Sequence, residues 1–291
     1  MPSLTGPRRA LLVPAPPKSA SQTLAALLSH HCDATIQRHK STKGVGHLLL
    51  NVPRLSRREQ LLRLSGLQQS SERSVIYGHY PASQHNLKQL KRRYITAAVV
   101  MPLRPIGALI CSLIHHTRRR NYGPLDHRCP GLIDGIPDLH QRTESNLFNL
   151  LGAIYVPQIH LLIRSWLEIA TRNNTPLIYA PFQSITTTQA EFLTTIDALL
   201  PQDYRSTKRP DSITNEVKIN ISDTRKITPS EINHTERAAV CSLATELLGC
   251  DDLLRPLLPY LLSDLDPGDN TSKTPILWEW NQGFHRHGTH G

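Results

Sequence analysis

Three short groups of residues in this chain combine the types and spacings that handling an anion requires. Lys18-Ser19-Ala20-Ser21 directly follows Pro17 and joins one full positive charge to small residues and two hydroxyls, with Gln22 and Thr23 next. Small side chains let backbone N–H groups come close to an anion, and a helix starting there adds its positive end. Taken alone, the same residues read equally well as a solvated loop with a serine cap. His79 stands in Gly78-His79-Tyr80-Pro81. An imidazole near its ordinary pKa can take a proton from a hydroxyl at neutral pH. It is one of 15 histidines, and by itself it reads as a surface or core residue. Arg104 precedes Pro105, and Ser112 lies eight positions further on. Eight residues are a little over two helical turns, which returns Ser112 to roughly the side of Arg104. A guanidinium and a hydroxyl together suit a phosphate. Arg118-Arg119-Arg120 extends the positive charge and reads as a solvated face.

These groups act together only if the fold gathers them, and the apolar pattern predicts that it does. Ala10-Leu11-Leu12-Val13 is a short apolar run stopped by prolines, as in a buried strand. Further strands are predicted at 74–79, 95–103 and 176–182. Helices are predicted over 86–93, 105–116, 146–170 with an interruption or kink near Pro157, 188–200 and 228–248. Leu24, Ala25, Leu27 and Leu28 have helical spacing, and Ser56-Arg57-Arg58-Glu59 is a capping box opening a helix to Leu64. Residues 123–139 carry three prolines and three glycines and read as a long loop. The polar stretch 202–214 reads as mobile. Strands alternating with helices predict an α/β fold, a parallel sheet covered on both faces. Ligands of such sheets sit beyond the carboxyl ends of the strands. Lys18 to Ser21, His79 and Arg104 fall at three such ends. Residues 1–262 read as a single domain, and 263–291, rich in Gly, Asn, His and Pro, as a flexible tail.

The chain has 291 residues, with 33 Lys and Arg against 23 Asp and Glu, a net charge of +10. That excess attracts polyanions without choosing among them. Aromatic residues are only 5%, which argues against a stacking platform for single-stranded nucleic acid, and no nucleic-acid partner is expected. No transmembrane segment is expected, and the apolar run ending at Pro14 is too short for a signal-peptide core. Five cysteines without Cys-x-x-Cys spacing read as free thiols in a reducing, cytoplasmic setting. His285, His287 and His290 in the tail read as incidental, and no metal is expected.

Together the motifs resemble the sulfotransferases that use 3′-phosphoadenosine 5′-phosphosulfate (PAPS). In that family the first strand feeds a loop of the type Pro-Lys-[Ser/Thr]-x-[Ser/Thr]-[Ser/Thr], here Pro17-Lys18-Ser19-Ala20-Ser21-Gln22-Thr23. Ala before Ser is the style of the heparan sulfate 2-O-sulfotransferases, and Gly78-His79 resembles the catalytic histidine of that branch. The family's second signature, an Arg after the third strand with a Ser eight residues on, is matched by Arg104 and Ser112. Ser222, Arg225 and Lys226 resemble part of the segment that covers the nucleotide in many bacterial members, and the motif style is also close to that of uncharacterised bacterial sulfotransferases. The resemblance runs from about Leu11 to Leu262.

It implies a P-loop-NTPase-like α/β fold and PAPS as co-substrate, with no metal required. Lys18 to Thr23 would hold the 5′-phosphosulfate, with Lys18 also stabilising the leaving group. Arg104 and Ser112 would hold the 3′-phosphate, and His79 would act as base. The positive charge suggests an anionic or hydroxyl-rich glycan as the acceptor, a polysaccharide or glycolipid whose modification would be a carbohydrate sulfation, with a lipid headgroup or small alcohol as the other choices. Two departures stand out. Gln22 replaces a common hydroxyl residue, and the Gly-x-x-Gly-x-x-Lys segment of the small-molecule sulfotransferases is missing, which leaves the adenine contacts unassigned. A small-molecule kinase and a non-catalytic polyanion-binding protein are the alternatives. The absence of Gly-x-x-x-x-Gly-Lys speaks against the first.

Overall fold

The computed structural model describes residues 8–38, 40–41, 50–51, 73–92, 94–119, 141–206, 208–217, 227–265, 275–280 and 283–288. Its main sheet has seven strands in the order β2-β5-β1-β6-β7-β8-β9. Strands β1 (Arg8–Pro14), β2 (Thr35–Arg38), β5 (Arg73–Gly78), β6 (Tyr94–Leu103) and β7 (Leu177–Pro181) run parallel. Strands β8 (Leu277–Trp280) and β9 (Phe284–His287) are antiparallel at one edge. A separate two-stranded ladder joins β3 (Lys40–Ser41) and β4 (Leu50–Asn51).

The parallel strands are apolar without alternation because both of their faces are buried. In β1, Ala10 and Leu12 face one core while Leu11 and Val13 face the other. In β7, Leu177 and Tyr179 alternate in the same way with Ile178 and Ala180. The first face is covered by α3 (Ile106–Arg119), α4 (Glu144–Asn173), α8 (His234–Gly249) and α9 (Leu258–Leu262), with Leu90 of α2 (Gln84–Lys91) beside them. The second is covered by α1 (Ser21–Cys32), α5 (Phe182–Thr186), α6 (Gln189–Leu199) and α7 (Pro210–Glu216). Each fully buried Leu, Val or Ile in these layers contributes about 1.5–3 kcal/mol relative to exposure.

The α/β class expected from the sequence holds, with differences of detail. Helix α4 continues through Pro157 rather than breaking there. Proline removes the donor that would bond to Ala153 O. Both residues lie on the exposed side, where water can take the orphaned carbonyl. Among the described helices α4 alone is long and apolar enough to cross a membrane, with a mean hydropathy of 1.3 over its best window. Many of its apolar residues, including Phe148, Ile159 and Trp166, are buried in the core, while Leu161 is exposed.

For its described residues, the flexible tail expected from 263 onward is corrected. Asp264 and Leu265 pack on α3, and Ile276, Leu277 and Trp278 are buried as β8 pairs with the free edge of β7. A four-residue strand is too short to stand out from a polar composition. Of the stretch read as mobile, residues 202–206 and 208–214 are likewise ordered, anchored by fully buried Tyr204 and by Ile213 of α7. The helix predicted at 56–64 and the loop at 123–139 lie outside the described residues.

Candidate functional site

Five parallel strands end at the same edge of the sheet, and β1 lies between β5 and β6. That position places the residues after β1 beside those after β5 and β6. Ala15 N donates to Gly78 O at 2.9 Å, carrying the β1–β5 pairing one residue past the strand. His79 comes next, its Nδ1 2.7 Å from Ala15 O. A carbonyl only accepts, so Nδ1 carries the ring proton and the basic lone pair of the neutral ring is on Nε2. The chain beyond His79 is pinned to α4. Trp166 Nε1 donates to Tyr80 O at 3.0 Å, and Ala82 N donates to Ser165 Oγ at 2.9 Å. Tyr80 packs edge-on against Trp166, with ring centroids 5.9 Å apart.

The loop from β1 to α1 carries two residues in the left-handed region, Lys18 at φ 63° and Ala20 at φ 65°. Neither is glycine, and each conformation costs roughly 1–2 kcal/mol. Such residues are found where a loop is shaped for function. Left-handed residues are also a component of the backbone nests that bind anions. Ser19 between them is fully buried, and its Oγ donates to Pro16 O at 2.7 Å. The Ser19 hydroxyl therefore holds the loop's shape. Ala20 is the N-cap of α1 and has no side chain to cap it, so the serine cap read from the sequence is absent. Ser21 is buried at the first turn of α1, Thr23 half-buried and Gln22 exposed.

Arg104, just past β6, donates from Nη1 to Lys18 O at 2.9 Å. Its guanidinium lies 4.3 Å from the ring centre of Phe182, the first residue of α5 after β7. Burial lowers the Arg104 pKa from its ordinary value, opposed chiefly by the charge of Asp264. Asp264 accepts from Gly107 N at 3.0 Å and Ala108 N at 2.5 Å, capping α3. Burial raises the Asp264 pKa, and the bonds from Ala108 and Gly107 work against it. Ser112 is half-buried two turns into α3. Its neighbour Cys111 feels both Asp264 and Arg104, and burial pushes that thiol up to about 12.

A cleft separates Pro16, Pro17 and His79 from Gln158, Ile159 and Leu162 of α4, with a cavity volume of about 20 Å³. That is room for about one water or one hydroxyl. The loop and the histidine thus share a cavity of the size of the group a base would deprotonate.

No protein-family profile matches the chain, and no curated protein matches it. Among solved structures it is similar to a sulfotransferase from Alicyclobacillus acidocaldarius, at 14% identity and a TM-score of 0.44, covering 89% of this chain and 99% of that one. A likeness this distant gives no residue a role.

The fold brings Lys18, Ser19, Ala20, Ser21, His79 and Arg104 to one edge of the sheet, and Ser112 follows on α3. Ser222, Arg225 and Lys226 lie outside the described residues. Sequence reasoning missed Phe182, Gln158, Tyr260 and Asp264. Gln158 and Tyr260 sit inside apolar helical patterns, and Asp264 begins the segment read as a tail. Phe182 closed a predicted strand, and no residue type in it signals a cation above its ring. The arrangement can seat one anion at the start of α1 and another by Arg104, with a proton acceptor facing a small cavity.

Proposed function

We propose that the chain is a sulfotransferase that moves a sulfuryl group from PAPS to an acceptor hydroxyl. The observation that carries this reading is that the Lys18 loop is tied at one end to His79, through Ala15 O, and at the other to Arg104, through Lys18 O. In this reading a proton acceptor and a second anion-binding group stand on either side of one strained anion loop. The sequence resemblance assigns the same three positions the same three tasks.

In this reading the backbone amides of residues 18–23 hold the 5′-phosphosulfate, with the hydroxyls of Ser21 and Thr23. Arg104 and Ser112 hold the 3′-phosphate. His79 Nε2 takes the proton as the acceptor oxygen bonds to sulfur. The bond from sulfur to the 5′-phosphate oxygen breaks, and Lys18 stabilises the charge left on that oxygen. The product nucleotide is adenosine 3′,5′-bisphosphate. The narrow cleft admits a hydroxyl rather than a whole acceptor, which suits a polysaccharide or glycolipid reaching in from outside. The net charge of +10 favours anionic acceptors. We place the reaction in the cytoplasm, where the free thiols would stay reduced.

The test is sulfate transfer from labelled PAPS to a panel of glycans, glycolipids and small alcohols, with and without ATP. Transfer to any acceptor supports the reading. Magnesium-dependent phosphoryl transfer from ATP in its place would make the protein a kinase.

A further inference from the structure

Tyr260 of α9 lies beneath the Arg104 region with its ring buried and packed on Trp278, the ring centroids 5.3 Å apart. Its hydroxyl accepts from Phe182 N at 2.9 Å. It also lies 3.1 Å from Leu103 O and 3.0 Å from Gln183 Oε1. One hydroxyl has one proton, so it donates to one of these two oxygens at a time. Burial raises the phenol pKa far above neutrality, so the proton is retained at physiological pH.

Those contacts bear on Arg104 from two directions. Leu103 is the residue immediately before it, and Phe182 supplies the ring that the guanidinium covers. Four residues after Tyr260, Asp264 holds Gly107 and Ala108 on the other flank of Arg104. One short segment thus fixes the backbone before Arg104, the backbone after it and its aromatic partner. A guanidinium reads a phosphate through a planar fork of donors, so a small rotation loses paired bonds.

We propose that Tyr260 is a positioning residue that sets the Arg104 guanidinium for the 3′-phosphate of the donor nucleotide. This inference rests on the sulfotransferase reading. Replacing Asp264 would be ambiguous, because removing its negative charge favours any nearby anion while loosening α3. Tyr260→Phe changes no charge and keeps the ring.

The experiment is calorimetric titration of the full chain with adenosine 3′,5′-bisphosphate and with adenosine 5′-monophosphate. The wild type should prefer the bisphosphate. Y260F should bind the bisphosphate about tenfold more weakly and the monophosphate within about twofold of wild type. Phe182→Leu, which removes the ring but keeps the N–H that Tyr260 holds, should show the same selective loss and stands in if Y260F does not fold. Equal losses for both ligands, or an unchanged preference in Y260F, would overturn the role of Tyr260 while leaving the sulfotransferase reading in place. A wild type that does not distinguish the two nucleotides would overturn that reading, and this inference with it.

Discussion

The proton on His79 Nδ1 is fixed by a backbone carbonyl that no side-chain substitution removes, and the residue lines the small cleft shared with Pro16 and Pro17. A positioned general base contributes about 10²–10⁴-fold to rate. His79→Ala should therefore lower turnover by that order and leave affinity for adenosine 3′,5′-bisphosphate within about twofold; undiminished turnover would remove His79 from the mechanism. Arg104→Ala should do the reverse. A hydrogen bond to a charged group is worth about 1.5–3 kcal/mol, so bisphosphate affinity should fall roughly 10–100-fold in titration. Unchanged affinity would refute the assignment. These residues were legible in the sequence because their types and spacings carry chemistry. Their surroundings were not. The left-handed conformations of Lys18 and Ala20 occur at residues that rarely adopt them, and the Phe182–Arg104 contact joins positions far apart in the chain.

At the scale of elements, β1, β5, β6 and β7 could be read because burial on both faces leaves short, continuous apolar runs, whereas β8 and β9 could not, being four residues each in a polar segment. Helix packing sets two further tests. A Cβ on Gly152 of α4 would lie 2.5 Å from Val240 Cγ2 of α8. In an open helix, glycine to alanine stabilises by about 0.5–1 kcal/mol. Here overpacking against a stiff β-branched side chain costs about 1–3 kcal/mol and outweighs that gain. Gly152→Ala should lower Tm, and a raised Tm would show that the two helices can part freely. His31 of α1 is buried with Nε2 2.7 Å from Asp197 Oδ1 of α6. Burial lowers its pKa from 6.5, outweighing the pull of Asp197, so the folded protein holds His31 neutral. The unfolded chain then binds more protons just below that pH. Stability from this site is complete above about 6.5 and is lost as pH falls. His31→Gln should lose less Tm than wild type between about pH 7 and pH 5.5, and an equal or greater loss would contradict the sign.

For the molecule as a whole, composition proved a poor guide to the C-terminus. The Gly, Asn, His and Pro content of 263–291 reads as disorder, yet Asp264 caps the helix after Arg104 and Trp278 supports Tyr260. Deleting residues 264–291 should therefore abolish a cooperative thermal transition; a truncated chain melting like the full one would show that the last strands are dispensable. Thiol chemistry checks the two core layers independently. Cys32 and Cys111 are buried on opposite faces of the sheet, each with its pKa pushed up to about 12 by burial, whereas Cys250 is exposed. Native-state alkylation should label Cys250 before Cys32 and Cys111, which stay protected until the protein unfolds.

The most direct measurement is the shift in Tm produced by adenosine 3′,5′-bisphosphate compared with ATP and magnesium at the same concentration. A ligand that binds only the folded state at about 100 times its Kd stabilises by about 2.7 kcal/mol. The expected result is a clear rise with the bisphosphate that exceeds the rise with ATP. No rise with the bisphosphate, or a larger one with ATP and magnesium, would contradict the assignment of the Lys18 loop and Arg104 to a PAPS-type donor.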